Sequence, residues 1–167
     1  TKEIDLATIK KSIEMKPDIA RIYPALVIKD TPMETMYNRG EYEPYSLDMA
    51  VEVSREMLKL YNAAKVKVIR IGLQPTDTIA EGKDVVAGPF HPAFRELVEG
   101  SLICENIKEK TNESSDIIIE INSKDISKLY CNKKQYFNEF KKNRHGKVFV
   151  KTVDKLKRGR VRVTVIE

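Results

Sequence analysis

The chain has 167 residues, of which 41% are hydrophobic and 33% charged, and its formal net charge is +5. This composition supports one sizeable core, or a medium lobe with a small appendage. No apolar run approaches the roughly 20 residues of a membrane span. The first residues, TKEIDLATIKK, lack a signal-peptide hydrophobic region, so we expect a globular, cytoplasmic protein with no membrane partner.

The chain opens with a helical pattern. Asp5 is a candidate N-cap, Leu6, Ile9 and Ile13 share one helical face, and Pro17 ends the pattern. A helix ahead of the first strand presupposes an earlier strand, and the chain begins with Thr1 where a complete gene product would show Met. We therefore expect the back part of a longer protein.

Two strongly apolar segments each carry one arginine. They are Ile19 to Ile28 (IARIYPALVI), with Arg21, and Lys65 to Pro75 (KVKVIRIGLQP), with Arg70. Segments this apolar are typical of strands inside a parallel sheet, so we expect both arginines to be buried, to have partners and to lie at a lumen or strand-end site. Pro24 within the first segment predicts a bulge.

Two helices are predicted between these strands. Thr31 followed by Pro32 indicates a short helix through about Arg39 that Gly40 stops. Ser46 caps a longer helix over about 47–64 with apolar residues at helical spacing. The order helix, strand, helix, strand favours an α/β fold with a parallel sheet and right-handed crossovers.

Charge divides the chain into two parts. Residues 124–167 hold 14 Lys and Arg against 4 Asp and Glu, a net charge of +10, which leaves −5 for the rest. The polar stretch KEKTNESSD, residues 108–116, reads as a linker or exposed loop. We therefore predict a first domain over 1–110 and a small basic α+β domain over 111–167, with the boundary near Thr111.

The second domain alternates short elements. We predict a strand at 116–122, helices near 124–130 and 133–143, and strands at 147–152 and 160–166. In the last strand the valines at 161, 163 and 165 fall on one face, and Arg160, Arg162 and Thr164 fall on the other.

Clustered cations in the second domain indicate an RNA-binding surface, because they hold phosphates. The candidates in the connection between the last two strands are Lys155, Lys157, Arg158 and Arg160. Further cations at 133, 134, 141, 142 and 144 interleave with Tyr136, Phe137 and Phe140, but the helical spacing of these rings favours a core role over base stacking. The alternative is a surface of lysines without a partner.

Few residues suggest chemistry by themselves. His91, in AGPFHP, is the one obvious acid-base candidate, and the alternative is a capping or packing histidine before a helix. Cys104 and Cys131 match no Cys-x-x-Cys pattern, so we expect buried thiols and no structural zinc or self-contained iron-sulfur site.

Three blocks in order, ARIYPALVIKDTPMETMYNRGEYEPYSLDMAVE, VIRIGLQP and DVVAGPFHPAFRELVE, resemble the C-terminal half of radical S-adenosylmethionine (SAM) enzymes. The closer likeness is to bacterial relatives of the Elongator catalytic subunit, and a looser one is to oxygen-independent coproporphyrinogen III oxidase. The resemblance covers about Leu6 to Gly100. It implies the last two strands of a partial (β/α)6 barrel, related to the TIM barrel, followed by the small α+β domain.

The resemblance also implies cofactors and site residues. The parent enzyme would carry SAM and a 4Fe-4S cluster whose three-cysteine motif lies upstream of Thr1, so we expect neither to be bound to this chain and expect it to be inactive alone. The last barrel strand approaches the adenine and ribose of SAM largely through backbone groups, which the resemblance assigns here to Ile71, Gly72 and Leu73. Gly72 suits close backbone approach because it lacks a Cβ. Arg70 and Gln74 would face the substrate or the methionyl carboxylate, and the alternative for Arg70 is a buried pair with a barrel carboxylate outside this chain. The same two alternatives, a contact with the substrate or cofactor and a buried structural role, apply to Arg21 and Tyr23.

Two classes of function follow. The first is the C-terminal part of a radical SAM enzyme that binds and modifies tRNA through its basic lobe, as the Elongator likeness implies, or within this class an oxidoreductase like coproporphyrinogen III oxidase. The second is a stand-alone RNA- or protein-binding module. In either case the exposed edge of the strand at 19–28 predicts a homodimer or another cover for that edge.

Overall fold

The computed structural model describes residues 1–80 and 82–166. The chain divides into two compact units, Thr1–Val98 and Glu99–Glu167. The division falls inside a helix, ahead of the predicted boundary near Thr111. It does so because Ile103, Cys104 and Ile107, on the second half of that helix, pack into the core of the second unit.

The first unit is mixed α/β, as predicted for its class. Its elements in chain order are α1 (Lys2–Glu14), β1 (Ile19–Ile22), β2 (Val27–Ile28), α2 (Pro32–Asn38), α3 (Leu47–Ala63), β3 (Lys67–Ile71), β4 (Val85–Ala87) and the start of α4 (Phe94–Glu109).

The helix predictions in this unit follow local capping chemistry. The Thr31 side chain accepts a hydrogen bond from the Glu34 amide, and Ser46 accepts one from the Met49 amide, so both predicted N-caps are confirmed. Gly40, with φ +71°, follows α2 as expected. The predicted cap at Asp5 is wrong, because α1 begins at Lys2 with Thr1 in the N-cap position and Asp5 lies within the first two turns.

The predicted strand over 19–28 is two strands in two different sheets. β1 pairs in parallel with β3, and β2 pairs antiparallel with β4. The chain leaves the first sheet at Tyr23 and Pro24, because proline cannot donate to a strand ladder. The β1·β3 register also shifts between Ala20 and Arg21. The parallel pair fits two neighbouring strands of an α/β sheet, and no closed barrel is formed by the described residues.

One face of the β1·β3 pair is buried and the other is open. Ile22, Val68 and Ile71 are buried, and Val51, Val53 and Leu58 of α3 lie in the core of the same unit. On the opposite side Ile19 is 54% exposed and Ile69 is 37% exposed. The parallel sheet is therefore covered on one side only within the described residues.

The second unit is a three-stranded sheet covered by helices on one face. Its elements after the end of α4 are β5 (Asp116–Ile121), a 3-10 turn (Ser123–Asp125), α5 (Ile126–Leu129), α6 (Cys131–Lys142), β6 (Val148–Thr152) and β7 (Val161–Ile166). The predicted α+β organisation is present in this unit.

The strand order in this unit is β6-β5-β7, with β6 parallel and β7 antiparallel to the central β5. Ile117, Ile119 and Ile121 of β5 are fully buried, and Leu129, Phe137 and Phe140 pack in the same core. The prediction that the helical aromatics are core residues is therefore confirmed for Phe137 and Phe140. No helix within 1–80 and 82–166 has the length and apolar character needed to cross a membrane.

Candidate functional site

The two arginines of the parallel sheet lie side by side. Arg21 of β1 and Arg70 of β3 are register partners. Both are exposed, so the prediction that they are buried is wrong. The reason is physical: the burial of a strand face depends on the layer that covers it, and the described part of the chain covers only the opposite face. Two cations on one exposed face form a positive patch that can receive an anionic group.

A cavity of about 410 Å³ lies at the carboxyl end of β1. Arg21 and Tyr23 both contribute to its lining, together with Tyr42, Tyr45 and Asp5. Clefts at the carboxyl ends of parallel strands are the usual ligand positions in α/β folds. The structure thus brings together two of the residues predicted from sequence, Arg21 and Tyr23.

The cavity wall contains one strong hydrogen bond. The Tyr45 hydroxyl donates to Asp5 Oδ2 at 2.7 Å. Burial and this bond to the Asp5 carboxylate together raise the pKa of Tyr45 to about 12. The phenol is therefore protonated at neutral pH, and it links α1 to the segment that precedes α3.

Gly72 follows β3 with φ +78°, and its amide donates to the Ile22 carbonyl at 2.9 Å. A Cβ at Gly72 would stand 2.8 Å from the Cβ of Phe94. The close approach that glycine permits here is therefore made by Phe94 of the same unit. Ile71 is buried, Leu73 is half-buried and Gln74 is exposed. Their assignment to cofactor contacts stays a prediction.

His91 forms hydrogen bonds in the turn that leads into α4. Its Nδ1 accepts a hydrogen bond from the Ala93 amide at 3.1 Å, and its carbonyl accepts one from the Phe94 amide. These bonds match the capping alternative for this histidine. The imidazole lies outside the set of side chains that line the cavity.

The cationic loop, which we define as Val153–Gly159 with the adjoining Arg160, is held in the second unit by two buried polar side chains. Asn122 Nδ2 donates to the carbonyls of Asp154 at 3.0 Å and Leu156 at 2.8 Å. Asp125 Oδ2 accepts from the Gly159 amide at 2.7 Å. Both polar side chains are buried, so their bonds to the loop are shielded from water.

Asp125 is also the centre of a charge cluster. Its Oδ1 lies 3.1 Å from Lys128 Nζ and 3.4 Å from Arg158 Nη2, and Lys128 in turn lies 2.8 Å from Glu99 Oε2. Burial acts to raise the pKa of Asp125, but the Gly159 amide and the Lys128 and Arg158 cations outweigh burial and hold the pKa below its usual value. The carboxylate therefore stays charged at neutral pH.

The four predicted RNA-binding residues separate into two kinds. Arg158 is paired with Asp125, although its side chain is 62% exposed. The side chains of Lys155, Lys157 and Arg160 are exposed and form no ion pair among the described residues. The loop therefore presents three unneutralised cations from an ordered backbone.

Several other cations of this unit stabilise the core. Lys134 lies over the Tyr130 ring at 4.9 Å, Lys141 over Phe137 at 5.7 Å and Arg144 over Phe140 at 5.2 Å. Arg144 also donates to the Thr111 hydroxyl and the Ser115 carbonyl. These three cations therefore contact rings and polar groups of their own unit.

Sequence reasoning missed Asn122 and Asp125. The signal available was Asn122 directly after an apolar strand, since its Oδ1 accepts from the Lys124 amide at 2.9 Å as a capping residue does. The partners 32 to 34 positions away cannot be read from local pattern.

Comparison with known proteins identifies the family. The model of the radical SAM C-terminal domain matches residues 17–103, which is just over half of the chain, so the chain belongs to this family. A stretch of 54 residues is 43% identical to a tRNA uridine(34) acetyltransferase of Methanocaldococcus jannaschii, and 40 residues are 45% identical to the protein of the same name in Methanocaldococcus infernus.

The matched stretches cover 30% and 24% of this chain and only 10% and 8% of the two relatives. The likeness to Elongator-type enzymes is thereby confirmed for part of the chain. No solved structure matches the chain.

Proposed function

We propose that this chain is the C-terminal part of a radical SAM enzyme that acts on tRNA, and that its second unit holds RNA phosphates. The observation that carries the proposal is the family match over residues 17–103, together with two relatives named as tRNA-modifying enzymes. Because the chain spans about a tenth of those relatives, most of the catalytic apparatus of such an enzyme would lie elsewhere.

For the iron-sulfur cluster, the proposed ligands are cysteines of the parent enzyme and not residues of this chain. No group of three or more His, Cys, Asp or Glu side chains within 1–80 and 82–166 is arranged to hold a metal ion. Cys104 is buried, and burial raises its thiol pKa to about 12, which disfavours the thiolate that ligates iron. The cluster would be bound by cysteines outside this chain.

For SAM, the proposed contact is the segment from Arg70 to Gln74. This segment spans the carboxyl end of β3, and Arg70 is the register partner of Arg21, which lines the strand-end cavity. Both observations support the proposal. The Gly72 amide is already bonded to Ile22, so the contact would use other backbone groups and the Arg70 and Gln74 side chains. The side chains of the register partners Arg21 and Arg70 would bind an anionic group of the cofactor or the substrate.

For tRNA, the proposed contacts are the cations of the ordered loop. Lys155, Lys157 and Arg160 project from a backbone held by Asn122 and Asp125, so little backbone entropy is lost when phosphates bind. Residues 124–167 carry a net charge of +10, with 14 Lys and Arg against 4 Asp and Glu. Binding through phosphates makes affinity strongly dependent on salt.

The test is tRNA affinity as a function of salt. The variant with Ala at Lys155, Lys157, Arg158 and Arg160 should flatten the plot of log K against log salt by roughly 0.7 to 0.9 for each phosphate that is no longer neutralised. A matched control replaces four exposed lysines of the first unit, Lys10, Lys11, Lys29 and Lys83, so that both variants lose four charges. Equal slopes for the parent and the loop variant would refute RNA binding by the loop.

The enzyme class is tested by the coding sequence ahead of Thr1. Three closely spaced cysteines there support a radical SAM enzyme, and their absence supports a stand-alone binding module. The oxidoreductase alternative, similar to coproporphyrinogen III oxidase, stays a prediction that no observation favours.

A further inference from the structure

The sheet of the second unit has a second face, which the loop proposal does not use. Side chains alternate along each strand, so the residues that do not contact the helices all point to the opposite side. This open face is made of Asp116, Ile118, Glu120, Phe149, Lys151, Arg162, Thr164 and Ile166.

The open face is ordered in rows that run across the strands. Phe149, Ile118 and Thr164 are register neighbours, and the first two form an apolar strip that ends at the Thr164 hydroxyl. Lys151, Glu120 and Arg162 form a charged row on the side of the cationic loop. Rows on one face are two residues apart, roughly 6.6 Å, and three strands span about 10 Å. An apolar strip therefore lies beside a charged strip in which two cations, Lys151 and Arg162, flank Glu120.

Two apolar residues on the open face are exposed, unlike the central-strand isoleucines on the helix-covered face of the same sheet. Phe149 is 47% exposed and Ile166 is 38% exposed, whereas Ile117, Ile119 and Ile121 on the other face of the sheet are fully buried. An aromatic residue left half-exposed on a sheet face can offer its ring to a ligand as a planar apolar surface.

The charges on the face select the class of ligand. Lys151 forms no ion pair among the described residues, and the Arg162 pair with Glu120 at 3.1 Å is exposed, with 63% of the Arg162 side chain in water. An exposed ion pair of this kind contributes at most about 1 kcal/mol, so Arg162 is readily available to a stronger anionic partner. Lys155, Lys157 and Arg160 lie at the same end of the sheet.

The apolar strip alone is too small to form the contact area of a stable protein interface. An aromatic side chain buries roughly 150–250 Å² in all, whereas a stable protein interface needs about 800 Å² from each partner. Phe149 with its neighbours supplies a small part of that area, which is enough for one or two planar bases.

We propose that this face is a stacking platform for unpaired nucleotides of RNA. A base stacks on Phe149 and the neighbouring Ile118, and the phosphates of the same strand lie on Lys151, Arg160 and Arg162. The proposal rests on the RNA-binding function of this unit and adds a preference for single-stranded segments, since the faces of paired bases are hidden inside a duplex.

The test compares a labelled single-stranded RNA of about eight nucleotides with a duplex of the same sequence, using fluorescence anisotropy and the full chain. Phe149→Ala should weaken single-strand binding roughly 5- to 100-fold and leave duplex binding and both salt slopes unchanged. Val165→Ala is the matched control, because Val165 is 46% exposed on the helix-covered face of the same sheet. It should change neither affinity.

A second variant guards against misfolding. The chain contains no tryptophan, so Phe149→Trp introduces a single fluorophore at the platform. Its emission should fall on titration with the single strand and stay constant with the duplex, while its affinity matches that of the parent.

Each outcome decides between the proposals. Unchanged single-strand affinity in Phe149→Ala, or tryptophan emission of the Phe149→Trp variant that RNA does not alter, overturns the platform while the cationic loop still stands on its salt slope. Tryptophan emission that varies with protein concentration in the absence of RNA also overturns it and identifies a second copy as the occupant. A parent chain that binds neither RNA refutes both the platform and RNA binding by the loop.

Discussion

The Gly159 amide and the Asp125 carboxylate are joined by a hydrogen bond of 2.7 Å that ties the end of the cationic loop to the 3-10 turn after β5. Asp125 is 1% exposed, whereas the loop lysines point to solvent. A buried anion thus holds in place a segment that carries four cations and one anion, Asp154. The rigidity of the proposed RNA surface depends on this contact.

Asp125→Ala should therefore destabilise the second unit by about 2–4 kcal/mol, because it leaves the Gly159 amide without its acceptor and Lys128 and Arg158 without a shared anion. Hydrogen exchange of the β5 amides measures this change, since these amides report opening of the second-unit sheet. Glu120→Ala is the control: its pair with Arg162 is exposed, and we expect a loss of less than about 1 kcal/mol. Equal effects of the two changes would show that the Asp125 cluster is not a buried anchor.

The same carboxylate predicts a dependence on acid. The pKa of Asp125 in the folded state lies below its usual value of 3.8, so the unfolded chain takes up the proton first as pH falls. The stabilisation by Asp125 is fully present above about pH 4 and is lost as pH falls through the folded-state pKa. Burial acts to lower the pKa of Lys128, but its contacts with Glu99 and Asp125 outweigh burial and raise the pKa, so the ammonium stays charged throughout this range.

This dependence is measured by comparing the parent with Asp125→Asn. The difference in their free energies of unfolding should be constant between about pH 5 and pH 7 and should shrink towards about pH 3. Asn keeps an acceptor for the Gly159 amide and removes only the titrating charge. A difference that does not change with pH down to that acid limit would contradict the role of the charge.

Gly100→Ala has two opposing effects on the stability of the chain. In a helix, Gly→Ala normally stabilises by about 1 kcal/mol. Here a Cβ would lie 2.3 Å from the Lys128 carbonyl oxygen and 2.4 Å from Cys131 Sγ. Overpacking of this kind costs about 1–3 kcal/mol or more, so the clash wins and the melting temperature should fall.

Gly100→Ala combined with Cys131→Ala separates the two clashes. Removing Sγ relieves one of them and leaves the backbone carbonyl in place, so the double variant should recover only part of the stability in a thermal melt. A single Gly100→Ala variant that melts above the parent would show that α4 and α5 are farther apart than described.

The features of this fold that depend on residues close together in the chain could be predicted from the sequence. The caps at Thr31 and Ser46 are confirmed because a cap involves residues two or three positions apart. The elements of the second unit also agree closely with prediction, since alternating Ile residues in β5 define a strand with one buried face.

The burial of Arg21 and Arg70 was predicted wrongly because it depends on what covers the sheet. Their apolar neighbours indicate a strand, but the described chain supplies a helical layer on one face only. β4 was missed because three residues give no readable period, and its pairing with β2 depends on where Pro24 breaks the strand. The clamp by Asn122 and Asp125 likewise joins residues that are 32 to 34 positions apart.

The last prediction concerns the edge of the parallel pair. β1 pairs with β3 along one side, and its other edge has no strand partner among the described residues. Unpaired strand edges recruit further strands, so we expect this chain to self-associate in solution, with β1 at the interface.

Ile19→Lys places a charge on that strand, where Ile19 is 54% exposed, and should shift the chain towards monomer. Ile4→Lys is the matched control, because Ile4 is 63% exposed on α1, away from the strand. Sedimentation velocity over a range of concentrations distinguishes the variants. A parent chain that is monomeric at every concentration, with hydrogen exchange showing the β1 edge open to water, would contradict the prediction.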